Sequence, residues 1–126
     1  MRTVDTNVLV RLITRDDARR TASAENFIDK GAWVSTLVLA ETMWVLGAVY
    51  GLKFDDQVKA IGMLLEHREL VLEHREIVAA ALELFRARPM LGFSDCLVVE
   101  SARQAGDLPL GTFDRNLAKV EGTQKL

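Results

Sequence analysis

The chain has 126 residues, 49% of them hydrophobic and 27% charged, with a formal net charge of −2. That length suits one domain, here residues 1–126, with a real core, and the charge balance excludes a chain drawn wholesale to nucleic acid while leaving room for a local basic patch. The single cysteine, Cys96, forbids an intrachain disulfide and fits a reducing cytosol, so a cytoplasmic place is expected.

The stretch Thr3-Val4-Asp5-Thr6-Asn7-Val8-Leu9-Val10 comes first. Its apolar approach stops at Asp5 and an apolar run resumes at once, which predicts a strand ending at Asp5 and a helix over 8–13. Ligands of open parallel sheets lie outside the carboxyl ends of the strands, so a central first strand sets Asp5 at the mouth of a crevice. Asp5 and Arg11 interrupt any apolar leader core, and no secretory signal is expected. Asp16-Asp17 offers an N-cap for a helix to about Lys30, with Ala18, Ala22, Phe27 and Ile28 inward. Arg11, Arg15, Arg19 and Arg20 read first as a solvated face.

Gly31 ends that helix, and Trp33-Val34-Ser35 is a short β-prone run. Ser35 or Thr36 caps a helix to about Tyr50, where Leu37, Ala40, Trp44 and Leu46 or Val49 recur near helical spacing. Residues 33–50 carry one charged side chain, Glu41. A carboxylate at mid-membrane depth costs about 2.5–3.5 kcal/mol on insertion scales, so no membrane span is expected. Glu41 falls one turn inside the helix and needs a partner, because an unpaired buried charge is expensive.

Gly51 ends this helix, and Asp55 or Asp56 opens another with Val58, Ile61 and Leu65 at helical spacing. Glu66-His67-Arg68-Glu69-Leu70 is echoed seven residues later by Glu73-His74-Arg75-Glu76-Ile77. One helix through both would far exceed the usual length. The expected order is therefore helix, short strand at 70–72, then helix over 75–88 with an apolar stripe of Ile77, Val78, Ala81, Leu82 and Phe85. His67 and His74 do not match metal-ligand spacing and are read as surface residues. Pro89 closes the helix. Ser94 is expected to cap the next one, with Val98, Ala102 and Ala105 inward and Asp95 in the first turn, where the helix dipole favours an acid. Cys96 reads as a small buried hydrophobe. Gly106-Asp107 turns the chain into a strand at 108–111 that ends in Thr112-Phe113-Asp114, then a short helix over 115–119. The polar C-terminal residues offer at most a frayed edge strand.

The alternation of strands and helices implies an α/β sandwich with a parallel sheet. Asp5 and Asp114 follow strands, Asp95 opens a helix, and Glu41 lies one turn into a helix that follows a strand. Gathered at one end of a sheet, each ionised pair about 5 Å apart would cost roughly 3 kcal/mol at an effective dielectric near 20. Cations must neutralise such a cluster, and ligation by oxygen alone points to Mg²⁺ or Mn²⁺. Metal-activated water attacking a phosphodiester is the chemistry this donor set suits.

Asp5-Thr6-Asn7, Leu39-Ala40-Glu41-Thr42-Met43-Trp44-Val45-Leu46, Phe93-Ser94-Asp95 and Thr112-Phe113-Asp114-Arg115-Asn116-Leu117 resemble, in order, the motifs of PIN-domain nucleases. The resemblance is nearest to the VapC ribonuclease toxins of toxin–antitoxin pairs and covers essentially the whole chain. It implies a three-layer α/β/α sandwich with a parallel four- to five-stranded sheet, Mg²⁺-dependent endoribonuclease activity on RNA, a homodimer and a small antitoxin partner. Carried over by position, it makes Asp5, Glu41, Asp95 and Asp114 the catalytic and metal-holding acids. Asp5 and Asp95 would be direct ligands, Asp114 would hold a second ion or a water on the metal, and Glu41 would orient or deprotonate the attacking water. Asn7 and Thr112 would steady the carboxylates by hydrogen bonds. Arg11, Arg15 and Arg115 are weaker candidates for phosphate contacts.

Arg2 and Thr3 stand where an apolar pair is more usual in the family, and Cys96 follows Asp95 where Ala is common. One rival is a PIN fold that binds RNA or protein without cutting. Two others are a phosphoacceptor receiver domain and a haloacid-dehalogenase-type phosphatase. The receiver pattern needs paired acids after the first strand, and the phosphatase needs Asp-x-Asp there; this chain has Asp5-Thr6-Asn7.

Overall fold

Local signals set most of the element ends. The computed structural model describes residues 1–126, which gather into two compact units, Met1–Arg75 and Glu76–Leu126. In the first unit, β1 (Arg2–Thr3) is followed by α1 (Thr6–Thr14), α2 (Ala18–Ile28), β2 (Ala32–Val34), α3 (Thr36–Ala48), α4 (Phe54–Glu66) and β3 (Leu70–Leu72). Asp5, Asp17 and Ser35 cap α1, α2 and α3 by accepting the backbone N–H groups of Val8, Arg20 and Val38 at 3.2, 3.0 and 3.0 Å. Each satisfies one of the donors that every helix start leaves unpaired. Gly31 leaves α2 with φ +92°, a conformation a side chain would strain.

The strands of this unit pair in parallel in the order β1-β2-β3, in the register Thr3↔Trp33 and Trp33↔Val71. The middle place of the ladder belongs to β2 rather than to the first strand. Ala32, Val34, Leu70 and Leu72 are buried while Trp33 and Val71 are exposed, the period-two alternation of strands covered on one face. β1 stops at Thr3, two residues short of the expected end, and buried Val4 bridges it to the capping Asp5. α1 packs on α2 and α3, with Leu9, Leu39 and Leu46 almost wholly buried.

The expected inward faces of α2 and α3 need correction. α2 buries Thr21, Ala24 and Ile28, and leaves Ala18, Ala22 and Phe27 in solvent. α3 buries Leu39, Thr42, Met43 and Leu46, while Leu37, Trp44 and Val49 are exposed. α3 is apolar nearly all round, so spacing alone cannot choose its inner face; the packing of α1 does. Thr42 is tolerated in the core because its hydroxyl donates to the Val38 carbonyl at 2.7 Å. α4 starts after Lys53, which makes no side-chain cap, so Asp55 and Asp56 lie in its first turn instead of capping it.

The second unit holds α5 (Arg75–Ala87) from its second residue onward, α6 (Phe93–Ala105), β4 (Leu110–Thr112), a 3₁₀ turn at Leu117–Lys119 and β5 (Thr123–Lys125). The α5 stripe is as expected, with Ile77, Val78, Ala81, Leu82 and Phe85 buried. α6 starts two residues earlier than its best capping residue suggests. Gly92 is the N-cap, without a side-chain bond, and Ser94 lies inside the first turn. Phe93 thereby reaches the Phe85 ring, edge to face at 5.8 Å between centroids. The inner face is Phe93, Cys96, Leu97 and Val99; Val98 and Ala105 face solvent. β4 and β5 pair in parallel as a separate two-stranded ladder, so the strands are hydrogen-bonded as three and two rather than as one ladder of four or five. Helices and parallel strands together make the expected α/β class.

Candidate active site

In the first unit two acids meet the start of α1. Asp5 stands just beyond the carboxyl end of β1 as the helix N-cap. Glu41, from the second turn of α3, accepts a hydrogen bond from the Thr6 hydroxyl. Thr6 is itself buried, so the bond fixes the carboxylate of an otherwise exposed residue. Both carboxylates are thus held on the first turn of one helix, whose positive end favours negative charge. Asp5 borders an open cleft of about 560 Å³ with Thr3, Val4, Val8, Phe27 and Val38. A second cleft of about 400 Å³ continues along α1 and α2, sharing Val8 and Phe27 and carrying Asn7, Arg11 and Arg20.

In the second unit Asp95 occupies the first turn of α6. Burial, and then the charge of Asp114, push its carboxyl above the usual carboxylate range; no hydrogen bond opposes them. Asp114 follows β4, and its carboxylate accepts the Leu117 N–H, the first of the 3₁₀ turn, at 2.8 Å. Its own N–H donates to the Thr112 hydroxyl at 3.0 Å. Asp5 is therefore an N-cap and Asp114 bonds the first N–H of a turn, and neither role competes with ligation, since each carboxylate has a second oxygen.

No three His, Cys, Asp or Glu side chains gather into a set that could hold a metal ion. The four acids are seen as two pairs, one within each unit. Their donor chemistry still fits a hard divalent cation, because every group offered is a carboxylate oxygen and Asp95 carries a repulsion that a cation would relieve.

The other candidates divide. Thr112 bonds the backbone N–H of Asp114 and not its carboxylate, so it steadies the turn instead of the acid group. Asn7 is exposed in the α1–α2 cleft and makes no bond to an acid. Arg11 and Arg15 are engaged with Asp16 at 2.7 Å and Glu25 at 3.2 Å. The Thr14 hydroxyl and then Arg11 hold Asp16 below the usual carboxylate range. Arg115 is exposed and has no carboxylate partner. Cys96 is fully buried, and burial, then Asp95 and Glu100, push its thiol up to about 12, which suits an inert packing residue.

Two residues of consequence were not singled out from the sequence. Thr6, wedged between Asp5 and Asn7, had a signal in its first-turn position, but its partner lies 35 residues away. Glu73, just past β3, caps α3 by accepting the Thr36 N–H at 2.8 Å, a role no local pattern announces.

A PIN domain family model matches residues 3–123. No curated protein and no solved structure matches the chain. No helix is long and apolar enough to cross a membrane. With a match that runs through both compact units and all four acidic motifs, the chain belongs to the PIN-domain family, a fold of the nuclease type.

Proposed function

We propose that this chain is a divalent-metal-dependent endoribonuclease, the toxin of a toxin–antitoxin pair, in which Asp5, Glu41, Asp95 and Asp114 hold Mg²⁺ or Mn²⁺. The observation that carries this reading is Asp95, a half-buried carboxylate without a hydrogen-bond donor that faces Asp114 in a chain of nuclease-type fold. Holding Asp95 against a second carboxylate costs stability, and Asp95 satisfies no donor in return. A divalent ion, when bound, polarises a phosphoryl oxygen and lowers the pKa of its water. The chain's own residues do the rest. Asp5 and Asp95 bind the ion, Thr112 steadies the turn that presents Asp114, and Glu41, oriented by Thr6, takes the proton from the attacking water.

The partners follow the same reading. Leu37 and Trp44, seven residues apart on α3, are 80% and 65% exposed, an apolar face that a second copy of the chain would cover. The cleft along α1 and α2 suits an inserted peptide of the antitoxin. The absence of a three-donor group favours one alternative, a PIN fold that binds RNA or protein without cutting.

The full chain with single-stranded RNA separates the two. Cleavage that needs Mg²⁺, stops on chelation and disappears in Asp5→Asn and Asp95→Asn supports the nuclease. Cleavage that persists in both variants removes the site assignment.

A further inference from the structure

The unit Glu76–Leu126 has a feature that the acids do not use. Between the end of α5 and the 3₁₀ turn lies a cleft of about 220 Å³. Leu91, only 4% exposed, contributes its buried apolar part, and Pro89 and Met90 add further apolar surface. Arg88, Asn116 and Lys119 supply its polar groups, and no carboxylate lines it.

The charge at this cleft is unmatched. Elsewhere in the unit, Arg86 pairs with Glu83 and Arg103 with Glu100. Arg88 and Lys119 have no carboxylate partner. Two like charges converging on one cleft repel, and an anion seated there relieves both. An apolar floor strengthens that attraction by keeping water from part of the site. Met90, 79% exposed, adds a flexible, polarisable thioether of the kind that packs against aromatic rings. A ligand that is anionic at one end and a flat ring at the other matches this combination, and a nucleotide is such a ligand. The cleft also adjoins the acids of this unit through the chain itself. Asn116 opens and Lys119 ends the turn whose first N–H, that of Leu117, is accepted by Asp114 at 2.8 Å.

We infer that this cleft seats one nucleotide of the RNA strand, its phosphate on Arg88 and Lys119 and its base against Met90 and Pro89. The inference rests on the ribonuclease reading and names where the substrate is gripped beside Asp114. Phosphate contacts set affinity and register without reading sequence.

The test is binding of a 5′-labelled single-stranded RNA to the full chain in EDTA, followed by fluorescence anisotropy across a salt series. Arg88→Gln/Lys119→Gln should bind about tenfold more weakly at low salt. It should also flatten the plot of log affinity against log salt by about 0.7, the contribution of the one phosphate that the two cations share on a single strand. A control double variant in the other unit, Arg19→Gln/Lys59→Gln, should change neither quantity. Met90→Ser should weaken binding several-fold at every salt concentration with an unchanged slope. Unchanged affinity and slope in Arg88→Gln/Lys119→Gln, or an equal loss in the control, overturns the proposal. Displacement of the RNA by an equal concentration of a free nucleoside monophosphate also overturns it, because the site would then be one for mononucleotides. Cleavage is scored separately with Mg²⁺. A wild-type chain that cleaves with a KM unaltered by Arg88→Gln/Lys119→Gln removes the cleft and keeps the nuclease. One that binds through the cleft without cleaving removes the nuclease.

Discussion

The two acidic pairs are built differently. In Met1–Arg75, Asp5 and Glu41 both accept hydrogen bonds from the first turn of α1, one from a backbone N–H and one from the Thr6 hydroxyl. In Glu76–Leu126, Asp114 accepts the Leu117 N–H, but Asp95 accepts nothing and is pushed up by burial and by Asp114. The same residue type thus satisfies a backbone N–H at Asp5 and Asp114 and stands as an uncompensated charge at Asp95. A cap explains itself by the donors it satisfies; an uncompensated charge asks for a ligand.

The largest expected effect comes from removing that charge. Asp95→Asn should lower Mg²⁺-dependent RNA cleavage by more than about a hundredfold, beyond the usual loss for a group that only supports a ligand. It should at the same time raise Tm in EDTA. The folded carboxyl titrates above its ordinary 3.8, so this group helps the fold most below 3.8 and loses that contribution as pH rises through the raised folded value. The Tm advantage of Asp95→Asn should therefore widen as pH climbs above 3.8. A variant less stable than wild type at pH 7 would show that Asp95 is a structural acid like the others.

Asp5 tests the opposite case. Asp5→Ala should cost about 1 kcal/mol through the lost cap, whereas Asp5→Asn keeps a good cap and should cost little. Both should lose cleavage. Denaturant unfolding beside an RNA cleavage assay checks this, and equal stabilities for the two variants would deny the capping role.

Next is the bond that holds Glu41. Thr6→Val preserves shape but removes the hydroxyl, and cleavage should fall about tenfold, in line with other losses of groups that orient a functional side chain. The cost in stability should be about 1 kcal/mol. Full activity in Thr6→Val would mean that Glu41 needs no positioning.

The smallest effect concerns Cys96. With its thiol pushed up to about 12 and no exposed surface, it should resist iodoacetamide at pH 8 in the folded chain and react once guanidinium unfolds it. Alkylation of the native chain, read by mass spectrometry, would contradict the burial.

Much of this was legible from the residues. Asp17, Ser35 and Gly31 act where they stand because caps and left-handed turns are local. The α5 stripe was legible because its apolar residues Ile77, Val78, Ala81, Leu82 and Phe85 recur at helical spacing, with charged residues confined to the helix ends and to Glu83. The acids at Asp5, Glu41, Asp95 and Asp114 were legible as motifs, each beside a strand end or a helix start.

What only the tertiary structure decided has a common cause, partners distant in sequence. α3 carries apolar residues on all sides, and α1 chose which of them to bury. The polar run at Thr123–Lys125 became a strand because β4 lay ready to pair with it. Gly92 stands in place of Ser94 as the cap of α6, and Phe93, the first helical residue, is buried against Phe85, a contact no local pattern announces. Residue order determines local backbone preference and the supply of charge. Which charge finds a donor and which is left facing another acid is settled by contacts between segments, where burial and Coulomb energy outweigh any single local preference.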